Sequence, residues 1–493
     1  MRKQAWLFRS GLKGLALTAA TLAIFGCRDD EGSGDGDDQA SGSDTAGDAA
    51  GSSDSGDSTD TDGSDTQGVD EDAPTWHADI APVVSESCSG CHRQGGIAPY
   101  PFEDYASTAP LAEAIAATVE AGTMPPWGAA SSDECTPRFG FKDDISLSPD
   151  EITMFRAWAE AGAPEGDPTF AAELPAPPDT ELPTVDTTLK MPGSVTIDGA
   201  SDQFLCFSLD PGLTEERYFN GLQIVPGNDK IVHHVLVYVD DEGTSADLAG
   251  PDGSFPCSGG TIEGALLGAW APGAVPLRTP EDVGMRVPAG SRLVLNVHYH
   301  PTGLGPEVDD STSLQLDWMD ETPTFRGEIA LVGNSDDPDI LLPGDGDEGG
   351  GPEFRIPAGA SGHVEEMVFE VPDDIPYVRV WSVAAHMHYV GRSMALRFEY
   401  ENGNEECMLN APNYSFEWQR LYSYDGALDE MPLIGAGDKV RVHCLYDNSM
   451  NNPYVVDALA EQGLDAPVDV YLGEETLDEM CLGVFGTAIP SQL

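Results

Sequence analysis

Positive charge is scarce in this chain. Its 493 residues carry 23 Lys and Arg against 86 Asp and Glu, a formal net charge of -63. A surface of that sign repels phosphates, which excludes nucleic acid as a partner. Long apolar runs are also missing near the start, since Leu15 to Phe25 is too short to span a bilayer as a stable helix. Apolar residues are nearly absent from 28–72, where 16 Asp or Glu stand against Arg28 alone. Such a segment cannot bury enough surface to offset its ordering entropy, so it reads as a flexible tether. The remaining acid is spread over the folded part, a pattern that fits work in salty water or simple solubility.

What is present begins with an export signal. Arg2, Lys3, Arg9 and Lys13 precede the apolar run, which ends Leu22-Ala23-Ile24-Phe25-Gly26-Cys27. That ending resembles a bacterial lipobox, in which Cys27 becomes the lipidated first residue; a plain secretory signal is the alternative. Arg28 stands where an inner-membrane retention signal would place Asp, which favours the outer membrane. The expectation is a signal over 1–26, a tether over 27–72, and a lipid-anchored envelope protein that meets the membrane only through its lipid. A periplasmic or extracellular site is the variant.

Structure is expected from Trp76. Over 73–167, LAEAIAATVEAG and SPDEITMFRAWAEAG space their apolar residues as helices do. Ser148 offers an N-cap, Pro149 a first turn, and Gly162 a stop. A proline-rich linker over 168–185 reads as extended. Beyond it, IVHHVLVYV, RLVLNVHYH, YVRVWSVAAHMHYV and DKVRVHCLYD are β-branched or alternating, with no long helical pattern between them. The fold class is therefore multidomain: a small all-α cytochrome c-like domain, then two all-β sandwiches over 186–335 and 336–493.

Nine cysteines are present. Cys88-Ser89-Gly90-Cys91-His92 is a c-type haem attachment motif: two thiols bond the haem, and His92 binds its iron. No second Cys or His pair at zinc-finger spacing lies nearby. The second axial ligand is expected downstream at Met124, on the Thr123-Met124-Pro125-Pro126-Trp127 turn, with His77 as the rival. Six cysteines remain besides Cys27, an even set that reads as disulfides outside the cytoplasm.

The histidines carry the rest. His386 and His388 are two apart, so on a strand they share a face and can meet one metal. His233 and His234 are neighbours and need a bulge or strand end to do so. His298 on another strand completes three nitrogens, with His300 a possible substitute. Met480 follows late. Imidazole suits copper and a thioether suits its reduced state, so three early and three late ligands point to two separate copper sites.

The ordered set HHVLVYV, CSGGTIEGALLGAWAPGA, VGMRVPAGSRLVLNVHYH, AAHMHYVG and LDEMC resembles the copper type II, ascorbate-dependent monooxygenases over about 190–491. The peptide-amidating and dopamine β-hydroxylating enzymes belong to that family. The resemblance implies jelly-roll-like sandwiches, each with its own copper, facing each other across a solvent-filled cleft. It implies an electron-relay copper on His233, His234 and His298. It implies a dioxygen-binding copper on His386, His388 and Met480. It implies disulfides Cys444–Cys481 and Cys206–Cys257. Cys135 and Cys407 are left over, to pair across domains or stay free. Asp447 and Asn448 are candidates to orient the imidazoles.

Three positions depart from the peptide-amidating pattern: Ala384 replaces a carboxylate-gripping arginine, and Leu482 and Val484 replace an asparagine and a tyrosine. Glycine-extended peptides are therefore not the expected substrate; a small, less charged molecule is. The leading expectation is a monooxygenase that inserts one oxygen atom of O2 into a C–H bond. Its electrons come from an external donor, ascorbate or another reductant, and are relayed by the fused haem. Copper binding or surface electron transfer without turnover is the alternative, and a haem peroxidase or sensor is a third.

Overall fold

The computed structural model describes residues 73–492 apart from 200, 258–263, 338, 345–346, 348–350 and 474–476. The expected signal and tether, including Cys27, lie outside the described residues. No described helix is long and apolar enough to cross a membrane.

The helical part follows its sequence signals. Helices Ala112–Glu120 and Pro149–Glu160 form where the apolar spacing requires them. Ser148 and Glu151 close a reciprocal capping box, and Gly162 leaves the second helix at φ 80°. With helix Ala81–Ser87 they enclose Trp76, Ile80, Val84, Ile115, Phe155 and Trp158. Burying each such side chain is worth about 1.5–3 kcal/mol.

Beyond residue 186 the described chain is mostly strand, in β-sandwich domains. A ten-stranded sheet runs through both halves. Its join is the antiparallel pair Phe325–Gly333 and Leu482–Pro490, with Ile329 opposite Gly486. Over the first half lies a five-stranded sheet holding Gln203–Leu209, Arg292–Tyr299 and Val232–Asp240; over the second lies a four-stranded sheet holding Lys439–Asp447 and Gly391–Glu399. One core holds Phe207, Phe219, Val235 and Leu295, and the other holds Met367, Leu396, Phe398 and Val442. Trp381 belongs to a second-half strand yet packs in the first core, its indole N–H donating to Thr487 O at 3.1 Å.

Three features refine the sequence reading. A nine-residue helix, Pro453–Glu461, interrupts the second half; Asn452 caps it and Pro453 occupies its first turn, both legible signals. The proline-rich linker is pinned rather than loose. Ser85 Oγ donates to Pro175 O, Arg93 binds Thr180 and Glu181, and Leu182 is buried. Residues 128–143 run along the second half: Ala130 exchanges hydrogen bonds with Asn410, Phe141 bridges Tyr424, and Arg138 pairs with Glu406. Cys135–Cys407 fixes this arm covalently, which resolves the leftover cysteines.

Candidate metal centres

The first histidine set is made by a bulge. In the pairing of Val232–Asp240 with Arg292–Tyr299, His298 faces His234 but Tyr299 faces Val232. His233 is the extra residue, and the bulge turns its ring to the same side as that of His234. Nδ1 of His234 lies 3.2 Å from Nδ1 of His233 and 3.3 Å from Nδ1 of His298. A tetrahedral metal with nitrogen bonds of about 2.0–2.1 Å, the zinc value, sets its ligand atoms about 3.3 Å apart. Two of the three nitrogen–nitrogen distances match that spacing, and all three atoms lie within 4.8 Å of one another.

Asp202, unnoticed in the sequence, fixes this geometry. His298 Nε2 lies 3.2 Å from one carboxylate oxygen and His300 Nδ1 lies 2.7 Å from the other. The Asp202 carboxylate beside His298 Nε2 favours a proton on that nitrogen, which would leave Nδ1 with its lone pair toward the other two rings. His300 therefore holds Asp202 and is no member of the trio, which among the described residues is His233, His234 and His298. Burial tends to raise the Asp202 pKa, but the hydrogen bonds from His298 and His300 outweigh it and hold the carboxylate well below its usual range. The strand register places Phe204 opposite His298, so Asp202 falls beside His300. That register is what a sequence alone does not show.

The second set presents the other ring nitrogen. His386 ends strand Val378–His386, and His388 follows just beyond it. His386 Nδ1 lies 2.5 Å from Gln419 Oε1, and His388 Nδ1 lies 3.0 Å from Asp478 O. Both acceptors take a proton from Nδ1, which leaves Nε2 of each ring as the free lone pair. The rings are 5.4 Å apart and nearly perpendicular.

Met480 is tied to this pair through the residue before it. The fully buried Glu479 carboxylate accepts the backbone N–H of His388, Val390 and Met480. Burial pushes its pKa up to about 8, against those hydrogen bonds. Tyr446 Oη donates to Met480 O at 2.8 Å, and Cys444–Cys481 pins the adjacent residue. Tyr414 Oη accepts from Met387 N and donates to Met387 O, clamping the strand between the histidines. Asp447 and Asn448 have other work. Asn448 Nδ2 donates to the carbonyls of Ile356, Pro357 and Val468, and Asp447 accepts from Ser449 N.

Burial keeps the imidazoles neutral, as metal ligands must be. It pushes His233 and His388 down to about 3, helped by neighbouring histidines. It lowers His234 well below its usual value and lowers His386 as well. The two sets are close. Phe416 stacks on His233 at 5.0 Å and meets His388 edge-on at 5.8 Å. A single ring, rather than an open cleft, touches both.

The Cys88-Ser89-Gly90-Cys91-His92 stretch keeps free the groups that a haem would need. Cys88 and Cys91 are unpaired thiols, whereas the other six described cysteines form disulfides; Cys206–Cys257 is the third pair. His92 Nδ1 donates to Tyr100 O at 2.7 Å, and its ring stacks on Phe102 at 4.0 Å. Nε2 is thereby left as the free ligand atom, and burial lowers the His92 pKa. Met124 lies on the turn after helix Ala112–Glu120, half-buried, its N–H donating to Thr118 O at 3.3 Å. Met154 rather than Met124 packs against the helical core. His77 lies 3.6 Å from Glu165.

The fold and these clusters define a β-sandwich protein with two buried imidazole sets. No family model matches the chain. It is 25% identical over 271 residues to DBH-like monooxygenase protein 2 of Mus musculus, covering 53% of this chain and 39% of that protein. It is 34% identical over 116 residues to peptidyl-glycine alpha-amidating monooxygenase A of Xenopus laevis, covering 22% and 12%. It is 23% identical over 235 residues to tyramine beta-hydroxylase of Caenorhabditis briggsae, covering 45% and 36%. These relatives support the copper type II monooxygenase family to which the motifs point. The chain spans less than half the length of each.

Proposed function

We propose that this chain is a copper-dependent monooxygenase that hydroxylates a C–H bond of a small, weakly charged organic substrate. The observation that carries the reading is the clustering: Nδ1 of His234 lies within 3.3 Å of Nδ1 of both His233 and His298, and His386 and His388 have Nδ1 engaged so that Nε2 of each is left free. His233, His234 and His298 would hold one copper, and His386, His388 and Met480 the other. Copper in these sites would supply one-electron transfer and the activation of dioxygen. The net reaction puts one oxygen atom into the substrate and reduces the other to water with two electrons.

The protein's own groups do the positioning. Asp202 sets its carboxylate beside His298 Nε2, while Gln419 and the Asp478 carbonyl accept from Nδ1 of His386 and His388. Glu479 ties the backbone of His388 to that of Met480, which fixes the spacing of the two residues.

Substrate choice follows from the strand register. Ala384 pairs directly with Val484, and His386 pairs with Leu482. The three positions that lack the peptide-gripping groups thus share one strand pair beside His386. Nothing charged projects from them, which favours a substrate without a carboxylate.

A haem on Cys88, Cys91 and His92, with Met124 as its further ligand, would supply a one-electron store for the copper half. Ascorbate or another external reductant would refill it. We also propose a lipid anchor at Cys27, which would place the enzyme on the cell envelope.

The test is oxygen consumption by copper-loaded protein over a panel of small organic substrates. Hydroxylated product that disappears in Met480→Ala supports the reading. Binding of two coppers without substrate-dependent oxygen uptake would move the weight to a copper-binding or electron-transfer protein.

A further inference from the structure

Both imidazole sets are closed in. His298 and His388 are 7% and 8% exposed, and Phe416 lies against His233 and His388 at once. On the reading that a substrate C–H bond is hydroxylated at the second set, the substrate has to come within reach of His386, His388 and Met480, so some group must move aside. Residues 415–418 are placed to do so. They lie between strands Glu405–Ala411 and Tyr422–Ser423, and no described helix or strand is formed between those two. Their ends are anchored. Tyr414 N–H donates to Arg392 O at 3.1 Å, and its hydroxyl clamps Met387. Gln419 meets His386 Nδ1, and Arg420 lays its guanidinium over Trp127 at 4.7 Å. Between these anchors two rings reach the first half of the β fold. Phe416 stacks on His233, and Trp418 sits on Gly273. A methyl group at Gly273 would stand 2.7 Å from two carbons of the Trp418 ring, so the indole needs a residue without a side chain beneath it. Gly273 belongs to the turn closed by Ala274 N–H donating to Ala271 O at 2.9 Å. That turn follows strand Ala265–Trp270, whose Trp270 faces Val235, so it emerges at the end of the bulged strand that carries His233 and His234.

We propose that residues 415–418 are a flap across the two halves, that Trp418 on Gly273 is its latch, and that substrate reaches the second set when the latch lets go. With the flap down, Phe416 fills the space between the sets and keeps water from both. With the flap raised, the same ring leaves His233 and His388 together, so both sets open in one motion. Tyr414, Gln419 and Arg420 are the fixed ends. Opening gives up the two ring contacts with the first half, the 4.5 Å contact of Phe416 with Tyr389, the 3.2 Å bond between Ser415 Oγ and Tyr454 Oη, and the 3.1 Å bond from Gln419 Nε2 to Phe416 O. No strand pairing is among them, which sets the flap apart from the sheets on either side.

Two measurements on the full chain test the flap. The first is amide hydrogen exchange of the unaltered protein, read by mass spectrometry. Peptides over 415–418 should exchange by local opening, well ahead of strands Lys439–Asp447 and Leu482–Pro490. Exchange as slow as in those strands would overturn the proposal, because the segment would then open only with the whole fold. The second is carbethoxylation of histidines by diethyl pyrocarbonate in the metal-free chain. Trp418→Ala should raise the rate at His233 and His388 by about tenfold, while His77 in the helical part reacts as before. Trp418→Phe, which keeps a ring on Gly273, should fall between. Equal rates in the three proteins would overturn the latch. A matching rise at His77 would also overturn it, by showing that Trp418 holds the fold rather than the flap. Neither readout needs turnover. A chain that hydroxylates nothing can still show the flap, and a rigid segment 415–418 would leave the monooxygenase reading standing.

Discussion

Phe416 and His233 come from different halves of the β fold, yet their rings stack at 5.0 Å with planes 23° apart. The same ring meets His388 at 5.8 Å. The two sets can therefore be no further apart than these contacts laid end to end. Phe416→Ala should leave both coppers bound but let the halves separate. Pulsed dipolar resonance between the two cupric ions should show a longer or broader distance distribution than in the parent protein, and turnover should fall. An unchanged distribution would mean that the shared sheet, not this ring, holds the halves together.

Asp202 orients His298 and His300 together, so its loss should be felt at one site only. Asp202→Asn should weaken copper at the first set by about 10–100-fold. Titration with a copper chelator should show one weakened site and one unchanged. Weakening of both would place Asp202's effect in the fold instead.

Glycine-extended peptides should not be amidated, because Ala384 carries no charge to hold their carboxylate. Ala384→Arg should raise the affinity for carboxylate-bearing compounds and lower turnover of uncharged ones. Product analysis by mass spectrometry separates the two. Efficient amidation by the unaltered chain would sink the substrate argument.

The metal-free protein should lose stability as pH falls. His233 and His388 are held down to about 3 in the fold, below the usual histidine value near 6.5. Between those limits the unfolded chain binds more protons than the folded one, so stability rises with pH across the window. Melting temperature should therefore drop steadily from pH 7 to pH 4. Copper should flatten the upper part of that curve, because bound metal keeps the rings neutral. A flat curve without metal would mean that these rings are solvated in the copper-free state.

Much of this was readable in the residues, and the failures have physical reasons. The capping box at Ser148, the alternating strands and the His386/His388 pair are local signals, each set by neighbours in sequence. His233 and His234 needed a bulge or a strand end to turn both rings to one point, and the strand register shows a bulge. Asp202, Gln419 and Phe416 were invisible since each acts across a gap of many residues, through strand register or a loop without periodicity. Asp447 and Asn448 looked suitable by chemistry, but Asn448 is committed to three carbonyls of its own region. Helix Pro453–Glu461 had its cap and its proline in plain view, and the β texture on either side hid it.

Strand Leu482–Pro490 lies between Phe325–Gly333 and Val378–His386, and no described strand comes after it in the chain. Without it, Phe325–Gly333 and Val378–His386 would each present an open sheet edge. Met480 and Cys481 arrive on its leading end, so the thioether and the Cys444 cross-link reach their places only as that gap closes. A chain lacking this strand would hold all five proposed ligand histidines and no finished second site. One strand's pairing thus decides both whether the two halves are joined and whether the proposed thioether ligand is in place.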